Sequence, residues 1–537
     1  MSQKKTTLVS GVAILSIAGL ISKVIGMFFR IPLANLIGLD GIGVYQTVYP
    51  AYTLLLTLST AGVPVAISRM VAERVTLGRH REARALLQTA LWVLFGVGLA
   101  LTLGLVAISG MLATWVGDPE AAIGYIAIAP SIMIVSVMSA LRGYMQGRSN
   151  MRPTAISQLI EQLGKVVVAL PLAALGLRYG LAYASAGALV GISIAEAVAL
   201  LYMALIYRSK RRLFAVDEAA DSHAASSRKE LLKQIIVIAI PITIGSLVVP
   251  LSGFVDSAMI RQRLFVAGIG EEQARILYGA LSGNAVSLAN LPTVLATAVC
   301  MGLVPLISAA RVEKRKEDMW ESSQLGLRLG SLIGLPCTIG MSLLATPIIH
   351  LLYAAYTPAE VALSGEILSL SALTIFFFSQ VQATTGILQG AGLQKIPMYS
   401  LALGVGFKIV LNYILIAIPS LNIYGAPIAS LTCYGVSLAV NLVFIMRRTG
   451  LRVHWGQVLA RPAGATLGMA AAVWLCMQVL DMNSRVNTLL AIFAGVAVYG
   501  VLVFALGALR REDMEAIPGG RKIEKLMMKL RVWKAAA

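Results

Sequence analysis

The sequence predicts an all-α polytopic membrane protein, with fourteen transmembrane helices forming two pseudo-symmetric six-helix bundles plus two C-terminal helices. Of its 537 residues 58% are hydrophobic and 13% charged, with mean hydropathy +0.81, which leaves too little polar surface to clothe a soluble globule. Fourteen apolar runs reach the roughly 20 residues a helix needs to cross a ~30 Å hydrocarbon core. Part of the chain also occurs twice. Gly143-Tyr144-Met145-Gln146-Gly147 returns as Gly386-Ile387-Leu388-Gln389-Gly390 and Lys165 as Lys408, both offset by 243 positions, and Tyr179–Ser185 returns as Tyr424–Ser430 at an offset of 245. That period is too long for a solenoid and fits a duplicated membrane half-domain.

In chain order, the first bundle (1–207) holds runs at 8–37, 44–67, 86–114, 121–141, 154–175 and 181–207. The first run follows Lys4-Lys5 but is too long for a cleaved signal and has no small-residue cleavage site, so it is read as a retained helix. Residues 208–230 are polar, with Arg211-Arg212, Asp217-Glu218 and Ser226-Ser227, and read as a flexible cytoplasmic linker. The second bundle (231–446) holds runs at 234–260, 276–309, 322–346, 361–390, 396–418 and 424–446. Six is even, so both bundles run the same way through the membrane, related by an axis along its normal. Runs 459–480 and 486–509, within 447–509, have no repeat partners. The tail 510–537 places Ile523, Leu526, Met527 and Leu530 at helical spacing among lysines and reads as a basic amphipathic helix on the anionic inner leaflet. The runs are continuous rather than alternating, which favours helices over a barrel.

The net charge of +19 is explained by where the charge lies and calls for no nucleic acid. With the N-terminus inside, cytoplasmic segments hold 34 of the 44 Lys and Arg and outer loops only Arg178, Arg261, Arg263, Arg275 and Arg485. The positive-inside rule therefore places both termini in the cytoplasm. Four separate cysteines and four scattered histidines show no disulfide or metal spacing, and no cofactor is expected.

An ionisable side chain inside a span costs about 2.5–3.5 kcal/mol on insertion scales and needs a reason. Gly19, Lys23, Gly26 and Arg30 stand at i, i+4, i+7 and i+11, one face of the first helix, with Pro32 expected to loosen it just beyond. This face reads as the lining of an aqueous cationic cavity; alternatively Lys23 and Arg30 snorkel or pair with neighbouring carboxylates. Glu161 and Lys165 have i, i+4 spacing for a salt bridge, whereas Lys408 has no such partner, and Glu196 or Glu366 could answer it. Asp256, Arg261 and Arg263 end the seventh span near the outer surface, where they form a gate by pairing with Asp40 or internally, or simply anchor the helix end. Arg69 is likewise a gate or a positive-inside charge. Asp118 and Glu120 read as ordinary loop residues.

Cations in a cavity imply an anionic cargo, and arginine's planar fork suits phosphate. There is no G-x-x-x-x-G-K-[ST] motif, so energy must come from a gradient, the membrane potential or a partner. Gly19–Pro32, Gly41-Ile42-Gly43-Val44-Tyr45, Ala61–Ser68, the Gln-Gly repeats and Val255-Asp256-Ser257 together resemble the SpoVB/YtgP branch of the multidrug/oligosaccharidyl-lipid/polysaccharide (MOP) exporter superfamily across essentially the whole chain. The resemblance implies a MATE-like fold, a V-shaped central cavity, alternating access and, for this branch, flipping of the undecaprenyl-pyrophosphate-linked precursor lipid II in the bacterial cytoplasmic membrane. Cavity cations of the family carry over onto Arg30 and Arg69. Where relatives have an Asp-Arg pair early in the eighth span this chain has Gly283-Asn284-Ala285, so the second-half cation is Arg261 or Lys408. Partners implied are the lipid-linked anionic cargo, membrane lipids and cell-wall synthesis machinery. A flippase for another polyprenyl-linked polysaccharide unit is the alternative, ahead of a cation-coupled drug antiporter. An enzyme is not expected.

Overall fold

In a computed structural model that describes residues 2–219, 221, 227–450, 453–481 and 484–509, every regular element is helical. The expected basic tail at 510–537 lies outside the described residues. Thirteen stretches among the described residues are long and apolar enough to cross a membrane. The first of them, Ile17–Thr76, is 60 residues long and takes in most of the first expected span and all of the second.

That long stretch is broken where its chemistry dictates. Helix α1 (Ser2–Phe28) stops before Pro32, whose ring crowds the carbonyl four residues back, and α2 (Arg30–Thr60) begins after a turn at Phe29. Gly38, at φ +71° and ψ 178°, kinks α2 in a conformation that costs only glycine little, and Asp40 sits two residues beyond the kink. Helices α3 (Val63–Thr76), α4 (His80–Val116), α5 (Ala121–Gly147) and α6 (Arg152–Gly164) follow. A π-helical turn over Lys165–Ala169 leads into α7 (Leu170–Gly176), then come α8 (Leu181–Ala219), α9 (Arg228–Val266) and α10 (Glu271–Tyr278). A second π-helical segment, Gly279–Ala285, precedes α11 (Val286–Val312).

After α11 come α12 (Lys316–Leu343), α13 (Ala345–Leu352), α14 (Pro358–Gly390), α15 (Lys395–Leu415), α16 (Gly425–Thr449), α17 (Arg461–Val479) and α18 (Arg485–Ala505). The chain divides into two compact units. The first runs to Gly283 and takes in Ala417–Ile423; the second comprises Asn284–Ile416 and the chain from Tyr424 onward. This boundary falls within the eighth expected span rather than at 208–230, because α9 and α10 pack on α2 and α3. A Cβ on Gly62 would stand 2.1 Å from the Ala239 carbonyl oxygen, and one on Gly43 2.4 Å from that of Arg275.

Residues 208–219, expected to be flexible linker, continue α8. Arg148 lies 3.9 Å from the Phe214 ring centroid and pairs with Asp217 at 2.5 Å, while Arg84 pairs with Glu218 at 2.7 Å. These partners lie 69 and 134 positions away in the chain, so no local pattern announces them.

Within each unit the repeated glycines do the same work. A Cβ on Gly143 or Gly147 of α5 would meet Pro64 O at 2.9 Å and Val71 Cβ at 2.6 Å on α3. A Cβ on Gly386 or Gly390 of α14 would meet Cys300 O at 2.9 Å and Ile307 Cβ at 2.7 Å on α11. The duplicated motif is thus a pair of close helix crossings, which only glycine allows at this spacing.

Candidate functional site

Two clusters of charge in the first unit bear on the expected site residues. One is inside the bundle. Tyr45, Tyr49 and Tyr52 stand at i, i+4 and i+7 on α2, with neighbouring ring centroids 5.7 Å apart, and the Arg30 guanidinium lies 5.5 Å from the Tyr49 ring centroid. Tyr52 donates a hydrogen bond of 2.8 Å to Glu196 of α8. Lys165, at the start of the π-helical turn, stands in the field of Tyr49, Glu196, Glu161 and Arg30. Glu161 pairs at 3.0 Å with Arg142 of α5, and Arg142 donates to Ser157 at 2.9 Å. Two carboxylates are therefore shared among three cations, and the cluster keeps a positive excess.

The expected Glu161–Lys165 pair is accordingly redistributed. Arg142 reaches Glu161 from α5, and Lys165 leaves the regular α-helical register where the π-helical turn begins. Arg142, close to the C-terminal end of α5, has a largely buried side chain. The Tyr45, Tyr49 and Tyr52 spacing was the available signal for this cluster.

The second cluster lies where the 117–120 loop meets α2, α9 and α10. Arg261 and Asp118 are both 0% exposed and paired at 2.6 Å. Arg275 pairs with Asp40, lies 2.9 Å from Glu120 and reaches to 3.7 Å from Asp118. Burial, the larger influence, pushes the Asp118 carboxyl above the ordinary carboxylate range against the pull of Arg261 and Arg275. Its ionised form therefore depends on both guanidinium groups staying in place.

Backbone contact closes the same region. A Cβ on Gly279 would stand 2.4 Å from Leu39 O, one on Gly283 2.1 Å from Ile42 Cγ2, and Gln46 donates to Ser282 O at 2.8 Å. The run Gly41-Ile42-Gly43-Val44-Tyr45 is thus the seat of α10. Two expectations change here. Asp40 pairs with Arg275, to which the sequence assigned no gate role, and Arg261 pairs with Asp118. Asp118 and Glu120, read as ordinary loop acids, are the counter-charges. The loop folds under α9 and α10, a proximity that sequence separation conceals.

The other expected residues are dispersed. Lys23 and Arg69 are exposed on α1 and α3, and Arg30 is half-buried. Gly26 is not open: a Cβ there would meet Gln162 Oε1 of α6 at 2.7 Å, so the Gly19–Arg30 face is partly covered. Asp256 and Arg263 are half-buried on α9, with Asp256 near Tyr278. Lys408 is half-buried on α15 in the second unit, where Glu366 accepts from Tyr424 at 2.5 Å. In that unit Asn284, at the point where relatives were expected to carry charge, donates to Tyr356 and Ser364, each at 3.2 Å. Among the described residues no group of three or more His, Cys, Asp or Glu could hold a metal ion.

Comparison with known proteins gives these clusters a family context. A family model described as "Polysaccharide biosynthesis protein" matches residues 8–311, and one described as MatE matches residues 280–414. Stage V sporulation protein B of Bacillus subtilis (strain 168) is 26% identical over 516 residues, covering 96% of this chain and 98% of that protein. Lipid II flippase MurJ of the same organism is 26% identical over 546 residues, covering 95% and 98%. Among solved structures, lipid II flippase MurJ in an inward closed conformation matches with a TM-score of 0.69 at 15% identity, over 91% of this chain and 97% of that one. The likeness shows a shared fold.

Proposed function

This chain belongs to the polysaccharide biosynthesis protein family, and on that premise we propose that it moves lipid II from the inner to the outer leaflet of the bacterial cytoplasmic membrane. It is a multi-pass membrane flippase or exporter of the MOP superfamily, a transporter rather than an enzyme. The observation that carries the finer reading is the pair of cations flanking the junction of α1 and α2. Lys23 is exposed, and Arg30 sits by Tyr49 and Lys165 in a cluster with excess positive charge. Such a group suits a pyrophosphate whose polyprenyl tail remains in lipid. Arg69 is assigned a supporting contact to the charged headgroup, and Lys408 is assigned a substrate-binding role within the second unit.

The cytoplasmic placement of both termini, inferred from the Lys and Arg distribution, puts the Asp40–Arg275 and Asp118–Arg261 pairs on the outer side. There they serve as a lock that opens when the cargo is released. An inside-negative potential favours outward movement of an anion by roughly 2.3 kcal/mol per charge per 100 mV.

Reconstitution with labelled lipid II tests this. Lys23→Ala and Arg30→Ala should each cut outward translocation about tenfold or more at unchanged expression, the loss expected of one charge-assisted phosphate contact of about 1.5–3 kcal/mol. Unchanged translocation in both variants would remove the cavity assignment. The family description favours one second reading, a flippase for another polyprenyl-linked polysaccharide unit. Rescue of a strain lacking all lipid II flippases supports the first reading, and failure at normal expression supports the second.

A further inference from the structure

The first unit has a feature that the transport reading does not use. Where the start of α4 meets the extended end of α8, a recess of roughly 480 Å³ is lined by Arg81, Arg84 and Gln88 from α4 and by Ala215, Glu218 and Ala219 from α8. Its acids are already committed. Glu218 takes Arg84 at 2.7 Å, and Asp221 accepts from the Arg81 backbone N–H at 2.8 Å. The Arg81 Nε donates to the Glu218 backbone oxygen at 2.9 Å, and each guanidinium, with five N–H donors, retains others.

Both walls change from basic to apolar in the same direction. Along α4, Arg81, Arg84, Gln88, Trp92 and Phe95 follow one another at spacings of three or four, and Trp92 is 70% and Phe95 41% exposed. Along α8 in the reverse direction, Ala215 is followed at the same spacings by Arg212, Arg208, Leu205 and Leu201, with Leu205 57% and Leu201 58% exposed. From Arg84 to Trp92 is eight residues and from Arg212 to Leu205 seven, so each wall passes from charge to hydrocarbon over about 10–12 Å. That gradient matches the passage from lipid headgroup to acyl chain, with tryptophan at the boundary.

We propose that this recess binds the headgroup phosphate of an anionic glycerophospholipid of the surrounding leaflet, with its acyl chains lying along Trp92–Phe95 and Leu201–Leu205. The leaflet is the inner one under the topology given above, but the binding claim itself is independent of cargo. The bound lipid bridges α4 to the end of α8. A ligand held only by the folded chain adds its binding free energy to the stability of that junction.

The test uses the full chain in a neutral detergent, following its thermal unfolding midpoint while phosphatidylglycerol, phosphatidylcholine or inorganic phosphate is added. Phosphatidylglycerol is expected to raise the midpoint saturably, and the other two to leave it unchanged. Arg81→Gln should weaken the apparent affinity for phosphatidylglycerol about fivefold, the effect of one basic residue at an anionic surface. Ala215→Trp fills the recess without touching its ion pairs and should abolish the shift, which decides the matter if Arg81→Gln does not fold. Equal shifts with phosphatidylcholine, a phosphate effect as large as the lipid's, or full retention of the shift in Ala215→Trp would each overturn the proposal. None of these readouts depends on transport, so failure here and failure of the lipid II reading are distinct results.

Discussion

The unit that runs to Gly283 pairs Arg261 with Asp118 at 2.6 Å with neither side chain exposed, and joins Arg142 to Glu161 and Arg74 to Glu82 in largely buried settings. Among the described residues, the unit that begins at Asn284 buries one charged side chain, Arg328 of α12, and pairs most of its other buried polar groups with neutral ones. Gln380 donates to Ser331 at 2.7 Å, Asn441 to Thr384 at 3.1 Å, and Ser400 to Asn441 at 2.7 Å, while Arg315 pairs with Glu313 and Asp318 at the surface. The two share their close glycine crossings and differ in how they handle charge. The close crossings recur in both units, whereas the buried ion pairs of the first carry a desolvation cost that neutral pairs avoid. That divergence points to the first unit as the place to look for gating and for the grip on an anion.

Breaking the contrast most severely means removing one buried charge. Arg261→Met leaves the buried Asp118 with Arg275 at 3.7 Å in place of its 2.6 Å partner and should cost about 3–5 kcal/mol, read as a lowered thermal midpoint in detergent. Adding Asp118→Leu should recover much of that loss; a single variant as stable as the parent would erase the distinction between the units.

The shared part is probed by Gly147→Ala and Gly390→Ala, which force a Cβ to within 2.6 and 2.7 Å of Val71 and Ile307. Each should lose about 1–3 kcal/mol by overpacking, and by similar amounts, in matched unfolding experiments. A large inequality would mean the two crossings are not equivalent.

Asn284→Ala removes two neutral hydrogen bonds and should cost roughly 1 kcal/mol for each, well below Arg261→Met in the same assay. Smallest is Glu218→Gln at the partly exposed pair with Arg84, expected to cost about 0.2–1 kcal/mol and to shrink further in high salt. A loss comparable to that of Arg261→Met would show that the end of α8 is held as tightly as the buried Arg261–Asp118 pair.

Legibility from sequence followed the range of the interaction. The spans were readable because each is a local apolar run, and the break before Arg30 because Pro32 acts on its own turn. The Gln-Gly repeats were readable as a duplication, because a matched motif is local in each copy, and the structure added that their glycines sit at close helix crossings. Long-range charge pairing was not. Arg275 lies 235 positions from Asp40, and Arg142 sits in a stretch that reads as a helix end facing solvent. The polar run 208–219 looked like linker because hydropathy does not register Arg148 stacking on Phe214 or Arg84 reaching Glu218 from other helices.

Composition, apolar run length and internal repetition by themselves determined that this chain is a helical membrane protein with a duplicated architecture, because lipid demands that every spanning backbone satisfy itself within its own helix. Which charges meet was decided only by the tertiary structure. A helix can carry Asp40 or Glu161 without specifying its counter-ion, and the partner is chosen by which other helix arrives within a few ångströms.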